Sequence, residues 1–211
     1  MLVNEHTKIA ICGKIRSGKT TAAIHLHAMH GFETASFGGV LRLYAEQLFA
    51  YSDVYKSVPI TKPDPFGGTM TIGHRKPRRL LQDFGQAMRK LDENIWINHV
   101  EERIKDIERE ALLADRPARI VIDDLRQPDE YEWAKANGFV IVRINAPDEL
   151  RIERAKEAGD DFSEEDLTHE TEQYVDGFEV DFELTNSGSA AELERQVDVI
   201  LAEINERERA V

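Results

Sequence analysis

Gly13-Lys14-Ile15-Arg16-Ser17-Gly18-Lys19-Thr20 matches G-x-x-x-x-G-K-[ST] in full, the loop whose backbone N–H groups wrap phosphates at a helix N-terminus. The surroundings are the ones this pattern requires. Lys8-Ile9-Ala10-Ile11-Cys12 is a short apolar run stopped by Gly13, and residues 20–30 read as a helix stopped by Gly31. Strand, loop and helix in that order make a nucleotide cradle of Gly13, Lys14, Ile15, Arg16, Ser17, Gly18, Lys19, Thr20 and Thr21. Lys19 would bridge the β- and γ-phosphates of ATP, and Thr20 would hold Mg²⁺. Arg16 either adds positive charge beside the phosphates or is a solvated loop residue.

Downstream of this helix, strands and helices alternate. Residues 34–37 read as a strand and 40–51 as an amphipathic helix, with Leu41, Tyr44, Leu48 and Tyr51 at helical spacing. Residues 52–77 carry Pro59, Pro63, Pro65, Gly67, Gly68, Gly73 and Pro77, which excludes a long helix and predicts a mobile surface loop over a site. Helical patterns resume over 78–90 and 93–113, and the β-branched run 119–123 predicts a central parallel strand ending in carboxylates. Helix 129–137, strand 139–144, helix 148–158, strand 182–185 and helix 190–206 follow, with an acidic lid expected around 155–172. The whole predicts one α/β domain over residues 1–211, a three-layer P-loop fold around a parallel sheet of about five strands.

Bulk properties narrow the partners. The 211 residues carry a formal charge of −13, so the surface as a whole repels polyanions and a nucleic acid polymer is not expected. The one cysteine, Cys12, cannot form an internal disulfide and fits a buried thiol in a reducing, cytoplasmic setting. No apolar stretch approaches the length a membrane span needs. A homodimer stays open.

Three further segments carry a family resemblance over most of the chain. Arg78-Arg79-Leu80-Leu81-Gln82-Asp83-Phe84-Gly85-Gln86-Ala87-Met88-Arg89 with Trp96, then Asp124-Leu125-Arg126-Gln127-Pro128-Asp129-Glu130, then His169-Glu170-Thr171-Glu172 with 181–189, come in this order. Together with the P-loop they resemble the deoxynucleoside monophosphate kinase family, whose layout is also similar to animal phosphomevalonate kinase. Gln86 stands where that family usually has threonine.

The resemblance implies ATP-dependent phosphoryl transfer to a small phosphorylated acceptor, a nucleoside monophosphate. Such chemistry asks for positioning and positive charge rather than a general base, because the attacking oxygen is already anionic. Arg42, Arg78, Arg79, Arg89 and Arg126 are implied as acceptor-phosphate ligands, Gln82 as a base-reading amide and Trp96 as part of the acceptor site. For Arg79 and Arg89 the plain alternative is a solvated helix face paired with Asp83, Asp92 or Glu93. Arg151 and Arg154, at i and i+3, resemble lid arginines, so Lys19, Arg126, Arg151 and Arg154 form the expected catalytic set. Asp124 is implied as the carboxylate near Mg²⁺ with Asp123 as an exposed strand-end residue, and Asn186 and Gly188 as the loop against adenine. His25 is expected to turn away from His27 and His30, and no zinc site is expected. A phosphomevalonate-type kinase and a regulatory module that binds ATP without turnover are the competing readings.

Overall fold

The apolar run ahead of the glycine loop is the middle strand of the sheet. In β1 (Thr7–Cys12), Ile9 and Ile11 enter one core and Ala10 and Cys12 the other, the alternation a strand covered on both faces must show. The computed structural model describes residues 6–49, 58–63, 69–75, 78–158 and 173–209. Among these, β2 (Glu33–Ala35), β5 (Arg119–Leu125), β6 (Val140–Asn145) and β7 (Phe182–Thr185) join β1 in the order β2-β5-β1-β6-β7. All four pairings are parallel.

Helices cover both faces. On one, α1 (Lys19–His30) and α7 (Ala190–Arg209) pack Leu26, Leu193, Val197 and Ile204 onto Ile9, Val121 and Ile144. On the other, α2 (Phe37–Phe49), α4 (Ile95–Leu113) and α5 (Pro128–Ala136) bring Phe37, Val100, Ile107 and Tyr131 against Ile120 and Ile122. α3 (Arg78–Leu91) leans Phe84 and Met88 on this second core, and α6 (Asp148–Glu157) follows β6. The parallel α/β/α sandwich expected from the alternation of elements is present. The site therefore belongs at the carboxyl ends of the strands, beside β1.

Two elements depart from expectation. The proline- and glycine-rich stretch contains β3 (Val58–Pro63) and β4 (Thr69–Arg75), paired antiparallel. In a two-strand ribbon both strands are edges, so prolines without an N–H are tolerated there. Residues 50–57, 64–68 and 76–77, the rest of the expected acceptor loop, lie outside the described residues, as do 159–172 of the expected lid, His169 included. Helix α2 starts at Phe37 rather than near residue 40, through Gly38 and Gly39. The cause is a tertiary cap. The Asp124 carboxylate accepts hydrogen bonds from the Phe37 and Gly38 backbone N–H groups at 3.1 and 2.7 Å, which offsets the poor helix propensity of glycine.

Candidate active site

The P-loop is held by close backbone approach. A Cβ on Gly13 (φ 143°) would lie 2.4 Å from the Ile144 carbonyl oxygen, and one on Gly18 (φ 108°) 2.3 Å from Asn186 Nδ2. No side chain fits at either position. Lys19, 7% exposed, folds into the loop and donates to the Gly13 and Lys14 carbonyl oxygens at 2.7 and 2.9 Å. Buried Ser17 Oγ has no hydrogen-bond partner among the described residues, a polar atom that a phosphate oxygen would satisfy. Lys14 sends its ammonium away to Asp176, 2.8 Å distant, so only its backbone belongs to the cradle. Beneath the loop, Cys12 is fully buried, and burial pushes its thiol up to about 11.

The carboxylates at the end of β5 make contacts other than those expected of them, although both line the cleft. Asp123, not Asp124, meets the P-loop, accepting from Thr20 Oγ1 at 3.0 Å. Asp124 is occupied by Ser36 Oγ at 2.7 Å and by the α2 backbone. Alternation along the strand explains this. Val121 belongs to the core under α1, Ile120 and Ile122 to the core under α2, so Asp123 falls on the α1 side and Asp124 on the α2 side. The partner strand shifts register between Ala10 and Cys12, which pair with Ile122 and Leu125, so both carboxylates sit at the irregularity. Burial, with Asp124 nearby, holds the Asp123 carboxyl above its ordinary range, partly offset by Thr20, Lys19 and Arg42. Thr20 Oγ1 and the Asp123 carboxylate are hard oxygen donors at a helix N-terminus, a set that suits Mg²⁺.

A cleft of about 1210 Å³ runs from the P-loop to α3. Arg16, Lys19 and Thr21 line its phosphate end, and Arg42, Gln82, Arg89 and Arg126 its far end. Arg89 does not pair with Asp83, Asp92 or Glu93. It spans to α5, donating to Asp129 and Glu130, each at 2.5 Å. Glu130 is buried and also accepts from the Arg126 and Gln127 N–H groups at 3.1 Å. Desolvation nevertheless pushes its carboxyl up to about 7, against the pull of Arg89. Sequence reasoning passed over Glu130, although Pro128 at the helix start and a glutamate two residues on are the marks of a capped N-terminus that buries its acid. Trp96 touches the cleft but is 2% exposed, with its indole N–H on the Gly85 carbonyl oxygen at 3.3 Å and its ring against Phe84. It joins α3 to α4 more than it faces an acceptor. Arg78 and Arg79 open α3, and their side chains lie outside the described residues.

The two arginines of α6 separate. Arg151, 2% exposed, is not in the cleft; it donates to the Ile15 carbonyl oxygen at 3.1 Å and to Asp148 at 2.7 Å, supporting the P-loop from outside. Arg154 lines the cleft, with contacts of 3.2–3.4 Å to Asn186 Oδ1 and to the carbonyl oxygens of Arg16, Asn186 and Gly188. Asn186 in turn donates to the Ser17 carbonyl oxygen at 2.8 Å. Asn186 and Gly188 both border the cleft. The histidine expectation is overturned as well: the rings of His25 and His30 meet at 5.4 Å, because both reach an aspartate on α7 that periodicity within α1 cannot reveal.

Residues 9–174 match the family model described as AAA domain. The chain belongs to this P-loop family. A protein of Acanthamoeba polyphaga mimivirus named "Putative deoxynucleotide monophosphate kinase" is 30% identical over 153 residues, covering 66% of this chain and 74% of the viral one. That relative bears out the family likeness read from the sequence motifs, and with it the chain is a P-loop kinase, a phosphotransferase. Solved structures agree on the fold. A Thermus thermophilus protein aligns with TM-score 0.53 at 20% identity, covering 94% of this kinase and 98% of that chain. Shikimate kinase from Acinetobacter baumannii aligns with TM-score 0.51 at 16% identity, covering 95% and 96%. In the kinase, no described helix is long and apolar enough to cross a membrane.

Proposed function

We propose that this kinase transfers the γ-phosphoryl group of ATP to a (deoxy)nucleoside monophosphate, giving the diphosphate. The observation that carries the reading is the continuous cleft. At about 1210 Å³ it exceeds the usual single-ligand range of roughly 300–1,000 Å³, as two ligands end to end require. Its cationic lining runs from Lys19 to Arg126, and Gln82 is among the lining residues, an amide with donor and acceptor to offer a base edge. The name of the mimiviral relative points to the same acceptor. A phosphomevalonate-type acceptor would leave Gln82 with no ring to read.

In the proposed reaction an acceptor phosphate oxygen attacks the γ-phosphorus, and the bond from that phosphorus to the β,γ-bridging oxygen breaks, so ADP leaves. The attacking oxygen is already ionised and needs no base. Lys19 would exchange the Gly13 and Lys14 carbonyls for phosphate oxygens. Arg154, whose hydrogen bonds among the described residues are 3.2–3.4 Å long, would do the same as charge moves across the transferred group. Arg42, Arg89 and Arg126 would grip the acceptor phosphate, with Glu130 fixing the direction of Arg89. Mg²⁺, held by Thr20 and through water by Asp123, would neutralise the crowded phosphate oxygens when bound. We read the chain as one domain working in the cytoplasm, consistent with its lone buried thiol.

An ADP-release assay with Mg²⁺ and ATP against every ribo- and deoxyribonucleoside monophosphate, plus phosphomevalonate, tests this. Turnover on one or a few nucleotides, lost in Lys19→Ala, is expected. Turnover on phosphomevalonate alone, or ATP binding without turnover on any acceptor, would overturn it.

A further inference from the structure

Between α1 and α7, a second donor set converges. His25 Nε2 and His30 Nε2 each lie 2.7 Å from the same oxygen of Asp198, Oδ1. The ring planes are inclined at 72°, so both nitrogens aim at one point from different directions. All three ligand atoms lie within 4.8 Å of one another. The histidines come from the second half of α1 and the aspartate from the middle of α7, and the seam between those helices is packed by Leu26, Val197 and Leu201. Ligands on two rigid, mutually packed helices are pre-positioned. His27, by contrast, is turned to the Phe32 carbonyl oxygen at 2.6 Å and takes no part.

The geometry points to a second, non-catalytic metal site at His25, His30 and Asp198 that takes a divalent transition ion such as Zn²⁺ and clips α1 to α7. Two imidazole nitrogens and one carboxylate oxygen suit Zn²⁺, whereas Mg²⁺ takes oxygen ligands, so the site is chemically separate from the Thr20 and Asp123 donors. Bonds of about 2.0–2.1 Å in a tetrahedron place ligand atoms about 3.3 Å apart, so the two 2.7 Å contacts would open by about 0.6 Å and the two nitrogens, within 4.8 Å of each other, would settle at the same spacing. Side-chain torsions absorb that without moving either helix. Asp198 is 47% exposed and the two histidines 12% and 28%, which leaves a solvent side for water to complete the shell. The consequence is mechanical: α1 carries Lys19 and Thr20 at its other end, and the clip would fix that helix against the last one.

The test uses the full chain without an affinity tag, stripped of metal. Calorimetric titration with Zn²⁺ should give one equivalent bound, and at about 100 times Kd linkage predicts a rise in Tm of roughly 5–10 °C. The pair His25→Ala with His30→Ala, and separately Asp198→Asn, should weaken Zn²⁺ binding more than about a hundredfold, beyond the loss of an outer-shell partner. Lys19→Ala should leave it unchanged, as should saturating Mg²⁺ and ATP. On the wild-type protein, electron paramagnetic resonance of bound Cu²⁺ should show two coupled imidazole nitrogens, an arm that needs no variant to fold. Absence of stoichiometric Zn²⁺ binding, binding that survives the histidine substitutions, displacement by Mg²⁺ and ATP, or fewer than two coupled nitrogens would each overturn the assignment.

Discussion

Asp123 accepts the hydroxyl hydrogen of Thr20 at 3.0 Å across 103 residues of chain, tying the end of β5 to the first turn of α1. Its neighbour Asp124 faces the opposite layer and caps α2. Two adjacent carboxylates thus make separate contacts, one to the first turn of α1 and one to the start of α2.

Asp123→Asn is expected to lower kcat about a hundredfold or more while leaving stability unchanged or slightly raised, since burial and Asp124 already disfavour its charge. Asp124→Asn should instead cost about 1–3 kcal/mol of stability by weakening charged acceptors for two backbone donors. Urea unfolding with steady-state kinetics on both variants separates the roles; a larger kcat loss in Asp124→Asn would return the phosphate-side duty to it.

Lys19→Ala should reduce kcat/KM by about a thousandfold or more, with far-UV circular dichroism unchanged. Its ammonium donates to the loop's own carbonyls at 2.7 and 2.9 Å, contacts between residues at most six apart in sequence. Activity within tenfold of the wild type would remove Lys19 from the transfer step.

Arg151→Ala and Arg154→Ala, three residues apart, should fail differently. Arg151 is 2% exposed beneath the Ile15 carbonyl, and its loss should cost about 1–3 kcal/mol. Arg154 should lower kcat about a hundredfold with little change in Tm, because its bonds in the resting enzyme are long. Thermal melts beside single-turnover rates read both.

Glu130 makes stability depend on pH. Its carboxyl is pushed up to about 7 from an ordinary 4.5, so the folded state holds a proton that the unfolded chain has released, and stability falls as pH rises from about 5 to about 7. The loss from this group is about 2 kcal/mol over that window. Glu130→Gln cannot titrate, so the stability gap between wild type and variant should narrow by about that amount from pH 5 to pH 7. Parallel unfolding curves at the two pH values would show instead that Arg89 keeps Glu130 ionised throughout.

Much of the fold was legible because its signals are local. The P-loop needs only Gly13, Gly18, Lys19 and Thr20 at fixed spacing between a strand and a helix, and β7 begins and ends at residues 182 and 185 as read. The first turn of α2 was not legible: Gly38 and Gly39 argue against a helix, and the cap that overrides them comes from Asp124, 86 residues away for Gly38. The partner of Arg89 was missed for the same reason, since nearby acids satisfy helical spacing whereas Asp129 and Glu130 are 40 and 41 residues distant.

The sequence by itself determined that Asp123 and Asp124 close an apolar strand, where adjacent side chains leave on opposite faces unless a bulge intervenes. It also determined the P-loop, whose glycines and lysine act within eight consecutive residues. Only the tertiary structure decided which face belongs to α1 and which to α2, and so which aspartate meets Thr20. The same holds for His25 and His30, which share a ligand only because α7, some 170 residues later, packs beside α1 and brings Asp198 to them. Contacts of that range are set by layer packing, and periodicity within one element carries no record of its neighbours.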